Sequence, residues 1–586
     1  MSRRLRTGSR DNGIGAGGDN MTISSVWTKP TLGEALDSLA ASAASSNQDI
    51  RFPDRPGGDE RISLVELADA SKRFAHGLLS GPEPGGVVGI LLPPGPEFLI
   101  AWFGVIRAGS AATVLPVTAI HPAKQALHLK QLVDVAGLQT VVTGPEYESV
   151  ANELRKACPG LRLITVAEST PGAGTLPTLQ PDSAAFVQFT SGSTRAPRGV
   201  LLTHANIMAG LTGIVCSGEM TATDVWAQWT PLYHDMGLFG MMSGLLSGMQ
   251  VNLVAPQTFI RRPERFLQVL ADTGATITTG PNFSYDLIAR VARANPELVA
   301  GLDLSRWRLA INGGEVLSPR TLEDFDAALA PAGVEPSVMF PAYGMAEATL
   351  AITFSQPGSR PATLWADRNT LAESGVVQTL AAGDPAATGL VSTGRPVVGL
   401  EVRITAGDGS QCAEDQLGEI QIRGAAVTAG YYRDPGSTAE LFDGSWLRTG
   451  DLGFWHEGQL YVGGRRKEMV IVNGRNYFPS DAEHVARTVP GVYRGRAIAF
   501  ADTEHAADGR IGEYVGLIVE SDCPETDYPV LIERVRKQVT AELDLSAVRV
   551  YPVSPGFLTR STSGKWQRLA AAARLADEDH TYLPTG

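Results

Sequence analysis

Phe189-Thr-Ser-Gly-Ser-Thr-Arg-Ala-Pro-Arg-Gly199 is the stretch on which the reading of this chain turns. An apolar run at residues 184–189 leads into it and a second, at 200–202, leaves it, so the segment reads as a hydroxyl-rich turn between two strands. The hydroxyls of Thr190, Ser191, Ser193 and Thr194, with backbone N–H groups left accessible by Gly192, can converge on phosphate oxygens. An ordinary surface turn has the same composition, so the stretch gains meaning only from what surrounds it. It is not a Walker A loop, because GxxxxGK[ST] is absent.

Outward from that turn, 586 residues with 43% hydrophobic content can bury more than one core. With 19% charged residues the balance is that of a folded soluble protein. A net charge of −13 repels phosphate backbones and argues against nucleic acid as a partner. Cys158, Cys216, Cys412 and Cys523 lie far apart, which gives neither a disulfide framework nor a cysteine zinc site and fits a reducing cytosol. The most apolar region, residues 87–117, is broken by Pro93, Pro94, Glu97 and Arg107, so no membrane span is expected. Residues 1–25 read as a disordered tail. The GxGxxG match at 13–18 within them follows no strand and is set aside as a dinucleotide site.

From residue 31 onward, strand-length apolar runs such as 87–92 alternate with amphipathic stretches such as 97–108, the pattern of an α/β fold. The Pro, Gly and Thr-rich segment 168–182 is expected to mark a subdomain edge. After Gly463 and Gly464 the elements become shorter-ranged: strands at 496–501 and 514–519, a helix over 530–542 and a strand at 548–553. The expected architecture is a large N-terminal domain over 26–463, built of mixed and parallel sheets with helices, and a small mobile α+β domain over 464–586.

Seven further motifs follow the turn in order: Leu232-Tyr-His-Asp-Met-Gly237, Asn312-Gly-Gly-Glu315, Tyr343-Gly-Met-Ala-Glu347, Gly430-Tyr-Tyr-Arg-Asp-Pro435, Thr449-Gly-Asp451, Gly464-Arg-Arg-Lys-Glu468 and Ser563-Gly-Lys565. Each is weak alone, but the ordered set resembles the adenylate-forming superfamily of acyl-CoA synthetases, luciferases and peptide-synthetase adenylation domains. The resemblance implies ATP and Mg2+ as cofactors. ATP or AMP would lie against Thr190, Ser191, Gly192, Ser193 and Thr194, the adenine-side turn Gly313, Gly314 and Glu315, and Ala342, Tyr343, Gly344 and Met345. Asp451 would grip the ribose hydroxyls with Arg465 nearby, and Glu347 would hold magnesium, a hard ion that wants a carboxylate beside substrate phosphates. Lys565 would be the catalytic cation, swung in by rotation of the small domain about a hinge at Lys467. His234 reads either as a packed ring or as a group beside the acyl carboxylate.

Three departures from the general pattern resemble the fatty-acyl-AMP ligase branch: Arg195 where most relatives have glycine, Pro281-Asn-Phe-Ser-Tyr-Asp286, and an extended segment at about 355–390 before Ser392-Thr-Gly-Arg-Pro396. In that branch such an insertion limits the swing of the small domain and disfavours coenzyme A. The implied reaction is activation of a fatty or related carboxylic acid to acyl-AMP and transfer to a separate acyl carrier protein. Met236, Leu238, Met241, Phe283 and Tyr285 are the expected acyl pocket, although such residues are more often plain core. An acyl-CoA ligase and a stand-alone amino-acid adenylating enzyme are the rival readings.

Overall fold

The computed structural model describes residues 25–43, 48–55, 60–79, 86–118, 121–167, 175–190, 197–472, 475–505, 511–543, 545, 547–559 and 566–578. Two large sheets dominate. The nine-stranded sheet runs, edge to edge, through Arg395–Pro396, Ala351–Phe354, Met339–Gly344, Leu309–Asn312, Ile277–Gly280, Val225–Gln228, Gln250–Leu253, Asp49–Phe52 and Glu60–Ser63. Its central strands are parallel, and nearly every residue in them is buried, as expected where helices cover both faces. The six-stranded sheet runs through Arg162–Ile164, Thr140–Thr143, Val87–Leu91, Ala111–Val114, Ala184–Thr190 and Arg198–Thr203.

The helix Asp235–Leu246 lies between these two sheets and is buried from Met236 to Leu246. Toward the six-stranded sheet, Phe239 meets Phe186 edge to face, with centroids 5.6 Å apart. Toward the nine-stranded sheet the helix presents glycines: a Cβ at Gly240 would come within 3.1 Å of Trp226 Cζ2, and one at Gly244 within 3.1 Å of Trp226 Cβ and Cγ. Each helix-interior glycine costs about 1 kcal/mol against alanine. What offsets that here is the close seat given to the Trp226 indole, 1% exposed.

The strand Arg162–Ile164 before residues 168–182 and the strand Ala184–Thr190 after them belong to the same six-stranded sheet. The expected subdomain edge there is therefore corrected: a Pro and Gly-rich segment breaks local structure, but only sheet pairing decides what belongs together. A third, five-stranded sheet contains Leu400–Thr405, Gly418–Gly424, Trp446–His456 and Gln459–Arg465. Gly463 and Gly464 sit inside its last strand, where Gly464 pairs with Leu452 and Arg465 with Asp451.

Beyond it, Ala497–His505, Ile511–Glu520 and Val548–Val553 form a three-stranded sheet with the helices Pro479–Arg487 and Tyr528–Leu543 packed on one apolar cluster. The helix Arg568–Asp577 covers a second cluster. Arg568 is held there by Glu483 and, at 2.7 Å, by Glu468.

The segment 355–390 is folded rather than loose. Its strand Thr363–Asp367 pairs with Ala387–Val391, and Leu364, Ala366, Leu371, Val377 and Leu390 pack against Phe454 and Tyr461 of the five-stranded sheet. Its helix Arg368–Ser374 reaches the small lobe: Arg368 Nη1 donates to the Glu542 carbonyl at 2.9 Å, and Thr388 Oγ1 to Asp481 Oδ1 at 3.3 Å. Among the described residues no helix is long and apolar enough to cross a membrane.

Candidate active site

The strands Ala184–Thr190 and Arg198–Thr203 are an antiparallel pair with Phe189 opposite Gly199 and Thr190 opposite Arg198. Thr190 thus closes one side of a hairpin whose tip, with Ser191, Gly192, Ser193 and Thr194, lies outside the described residues. Gln188, two residues earlier, donates to the Tyr233 carbonyl at 2.9 Å and ties the hairpin to the segment bearing His234. His234 caps the helix Asp235–Leu246. Its Nδ1 lies 2.6 Å from Asp235 Oδ1 and 3.1 Å from the Met236 nitrogen. The Met236 N–H is shared between His234 Nδ1 and Asp235 Oδ1, the latter at 2.7 Å.

Two other segments meet at the carboxyl ends of the central strands, where open α/β sheets bind ligands. Gly313 follows the strand Leu309–Asn312, with Gly313 N–H donating to the Gly280 carbonyl, and Gly314 takes φ +82°, a left-handed turn that glycine adopts without strain. Glu315 then accepts the Phe283 N–H at 2.9 Å. Asn312 Nδ2 donates to Asn282 Oδ1 at 3.2 Å, so the Pro281-Asn-Phe motif and the Asn312-Gly-Gly-Glu315 turn form one bonded unit.

The strand Met339–Gly344 carries Ala342 and Tyr343 into the same region, with Met345 half-buried beyond them. A Cβ at Gly344 would collide with the Leu350 carbonyl, which fixes the tight return of the chain to Glu347. Tyr343 Oη donates to Asp451 Oδ2 at 2.7 Å, and Arg465 Nε to Asp451 Oδ1 at 3.1 Å. Asp451 is 6% exposed. Burial, then the Asp451 charge, pushes the Tyr343 phenol well above its usual range, so it stays a donor. Asp451 in turn holds the Arg465 guanidinium charged.

Glu347 is 7% exposed, and its Oε1 accepts from Tyr431 Oη at 2.8 Å. Burial raises its carboxyl above the usual glutamate range, against the opposing pull of that phenol. Tyr431 reaches it because an isolated bridge lays it against Val200, and Arg198 stacks over its ring at 5.4 Å. Arg198 lies in the hydroxyl-rich stretch 189–199 and Tyr431 in the motif 430–435, and the motifs imply no role for either. The chain of contacts from Arg198 to Tyr431 to Glu347 spans three separate segments, so spacing carried no signal of it.

The expected acyl pocket divides. Leu238 and Met241 lie on the face of the nine-stranded sheet covered by the helix Asp235–Leu246, and Met236 sits at the start of that helix. Tyr285 is in the core on the opposite face, its hydroxyl bonded to the Ile311 carbonyl at 2.8 Å and its ring against Phe325. Phe283 packs on that second core beside Trp229. Lys467 lies in the short 3-10 turn Arg466–Glu468 between the two lobes, and Lys565 is outside the described residues. No group of three or more His, Cys, Asp or Glu side chains poised to hold a metal occurs among the described residues.

Comparison with known proteins agrees with this arrangement. A family model described as AMP-binding enzyme matches residues 40–432. The long-chain-fatty-acid–AMP ligase FadD26 of Mycobacterium tuberculosis is 32% identical over 533 residues, covering 85% of this chain and 89% of that protein. The medium-chain-fatty-acid–[acyl-carrier-protein] ligase JamA of Moorena producens is 31% identical, covering 88% of this chain and 90% of its own length. A solved fatty acyl-adenylate ligase, from work on the E. coli and L. pneumophila enzymes, superposes with a TM-score of 0.86 at 30% identity over 94% of this chain and 98% of that one. With the hairpin, the buried Asp451 and Glu347 and both lobes in the same order, the chain belongs to the AMP-binding, adenylate-forming enzymes, on their fatty-acyl-AMP ligase branch.

Proposed function

We propose that this protein activates a fatty or related carboxylic acid with ATP to give acyl-AMP, and passes the acyl group to the phosphopantetheine thiol of a separate acyl carrier protein. The observation that carries this reading is the pair of buried carboxylates, Asp451 held by Tyr343 and Arg465, and Glu347 linked through Tyr431 to the hairpin strand at Val200. In the first step a carboxylate oxygen bonds to the α-phosphorus and the bond to the pyrophosphate oxygen breaks. In the second the carrier sulfur bonds to the acyl carbon, its proton is lost and AMP leaves.

Asp451 would accept both ribose hydroxyls while Tyr343 and Arg465 fix its orientation. Thr190, the hairpin tip and the Gly313–Gly314–Glu315 turn would take the phosphates and adenine, with Ala342, Gly344 and Met345 as the wall between them. Magnesium fits Glu347: one buried carboxylate, with its remaining ligands drawn from water and phosphate, is how this ion is usually bound beside a nucleotide. When bound, it would neutralise charge on the phosphates. Lys565 would meet the attacking oxygen and α-phosphate, brought there by rotation of the lobe 464–586 about Lys467. His234 would lie beside the acyl carboxylate, and Met236, Leu238 and Met241 would border its chain, Phe283 and Tyr285 backing the pocket from across the sheet. The four free cysteines fit a cytosolic setting.

The contacts of Arg368 and Thr388 with the small lobe support a restricted swing, and with it a carrier thiol rather than coenzyme A as acceptor. The test is to supply ATP, Mg2+ and a fatty acid with either coenzyme A or a phosphopantetheinylated carrier. The expected result is acyl-AMP in both mixtures and thioester formation at least about tenfold faster on the carrier, a difference of about 1.4 kcal/mol in barrier. Brisk acyl-CoA formation would defeat the carrier assignment and favour the coenzyme A ligase.

A further inference from the structure

We propose that Trp226, braced by Gln228, is the residue that ends the acyl pocket, and that this enzyme therefore selects short acids over long ones. The inference rests on the adenylation reading above and deepens it to a substrate class. His234 stands at the start of the helix Asp235–Leu246, so a carboxylate placed beside it sends its chain along one of that helix's faces. At 100° per residue, Gly240, Met241 and Gly244 share one face, while the Cβ direction of Gly237 is closed by the Thr230 and Pro231 carbonyls. That face is turned to the nine-stranded sheet, since the Cβ directions of Gly240 and Gly244 run into Trp226, Gln228 and Thr279.

A helix face made of glycines against a sheet is an open lane, and here the lane is filled. The indole runs along it with its Cβ and Cγ against Gly244 and its Cζ2 edge against Gly240, pointing back toward the end that bears His234. It is pinned: Trp226 Nε1 donates to Gln228 Oε1 at 2.8 Å, and Gln228 Nε2 to the Gly237 carbonyl at 2.6 Å. Both amide atoms of Gln228 are thus used, in a residue 1% exposed. The chain linking plug to helix begins only three residues past His234, and Gly240 follows about 4.5 Å further along the axis. A straight acyl chain that rounds the Thr230–Pro231 main chain onto this face meets the Gln228 amide and then the indole edge after a few carbons.

The test is a chain-length series of butyric, octanoic, dodecanoic and hexadecanoic acids, read as pyrophosphate release with ATP, for the full-length wild type, Trp226→Gly and Trp226→Phe. The same lengths as acyl-sulfamoyl-adenosines, read by thermal shift, report pocket depth without turnover. The wild type is expected to peak at butyric or octanoic acid in both measurements. Trp226→Gly is expected to move the peak to longer acids, gaining about fourfold in kcat/KM for each methylene newly buried, and Trp226→Phe to fall between. A wild type that prefers hexadecanoic acid overturns the proposal, as does an identical ranking in all three proteins. If no acid of any length releases pyrophosphate from the wild type and no analogue stabilises it, the adenylation reading itself falls, an outcome distinct from a misplaced plug.

Discussion

Glu347 and Asp451 are buried to nearly the same depth, 7% and 6% exposed, yet the protein treats their charges differently. Asp451 is met by a guanidinium and a phenol, one on each oxygen. Glu347 is met by the Tyr431 phenol, and its carboxyl is pushed above the usual range by burial. A buried carboxylate is stable when a cation and hydrogen bonds replace water, and is otherwise inclined to hold its proton. One carboxylate therefore has a cation bonded to it within the fold, while the other is bonded to a phenol and feels the Arg465 guanidinium only through its charge. That is the contrast expected if the first takes a neutral diol and the second a metal, the roles proposed above.

The largest expected effect that would sharpen this contrast is on Glu347→Gln. Activity with ATP and acid should fall about a hundredfold to a thousandfold, as for loss of a group that stabilises developing charge. Without nucleotide, Tm at neutral pH should stay level or rise, because an amide of the same shape removes an incompletely compensated buried charge. A drop in Tm of several degrees would break the contrast.

Asp451→Asn should do the reverse. Arg465 would lose its anion, and since that side chain is half exposed the stability loss should be modest, about 1 kcal/mol, visible by denaturant melts. The KM for ATP should rise about tenfold, with a smaller change in kcat. A variant more stable than wild type would show that the two sites are alike after all.

The smallest effect is on pH dependence. A carboxyl whose folded value lies above its ordinary 4.5 adds stability to the metal-free protein below that value, and loses it as pH rises through the folded one. The stability advantage of Glu347→Gln over wild type should therefore grow as pH rises. Magnesium requires the ionised form, so the Mg2+ dependence of nucleotide thermal shift should weaken on acidification at a higher pH than an ordinary glutamate would give. The same pH profile in Glu347→Gln would assign the effect to another group.

Much of the local structure was legible in the residues. The strands expected at 87–92 and 548–553 appear as Val87–Leu91 and Val548–Val553, and the helices expected at 97–108 and 530–542 as Pro96–Arg107 and Tyr528–Leu543. The hydroxyl-rich turn does join two strands of a hairpin. These features depend on period and propensity within a few residues. The segment 168–182 misled for the same reason, since a breaker shows where an element stops and not which sheet the next strand joins. Tyr285 and Leu238 look alike as apolar candidates, yet the sheet stands between them, because Tyr285 lies on a helix crossing to the other face.

By itself the sequence determined the chemistry on offer and its order along the chain: Thr190, Glu347, Asp451 and Lys467 in motifs that short spacings define. Only the tertiary structure decided which charges are compensated and which space is filled. That Tyr431 with Arg198 above it, and not a cation, binds Glu347, and that Trp226 lies along Gly240 and Gly244, depends on segments up to more than two hundred residues apart being packed together. Electrostatic compensation and volume are properties of neighbours in space, and the connections between strands, which the local pattern leaves open, choose those neighbours.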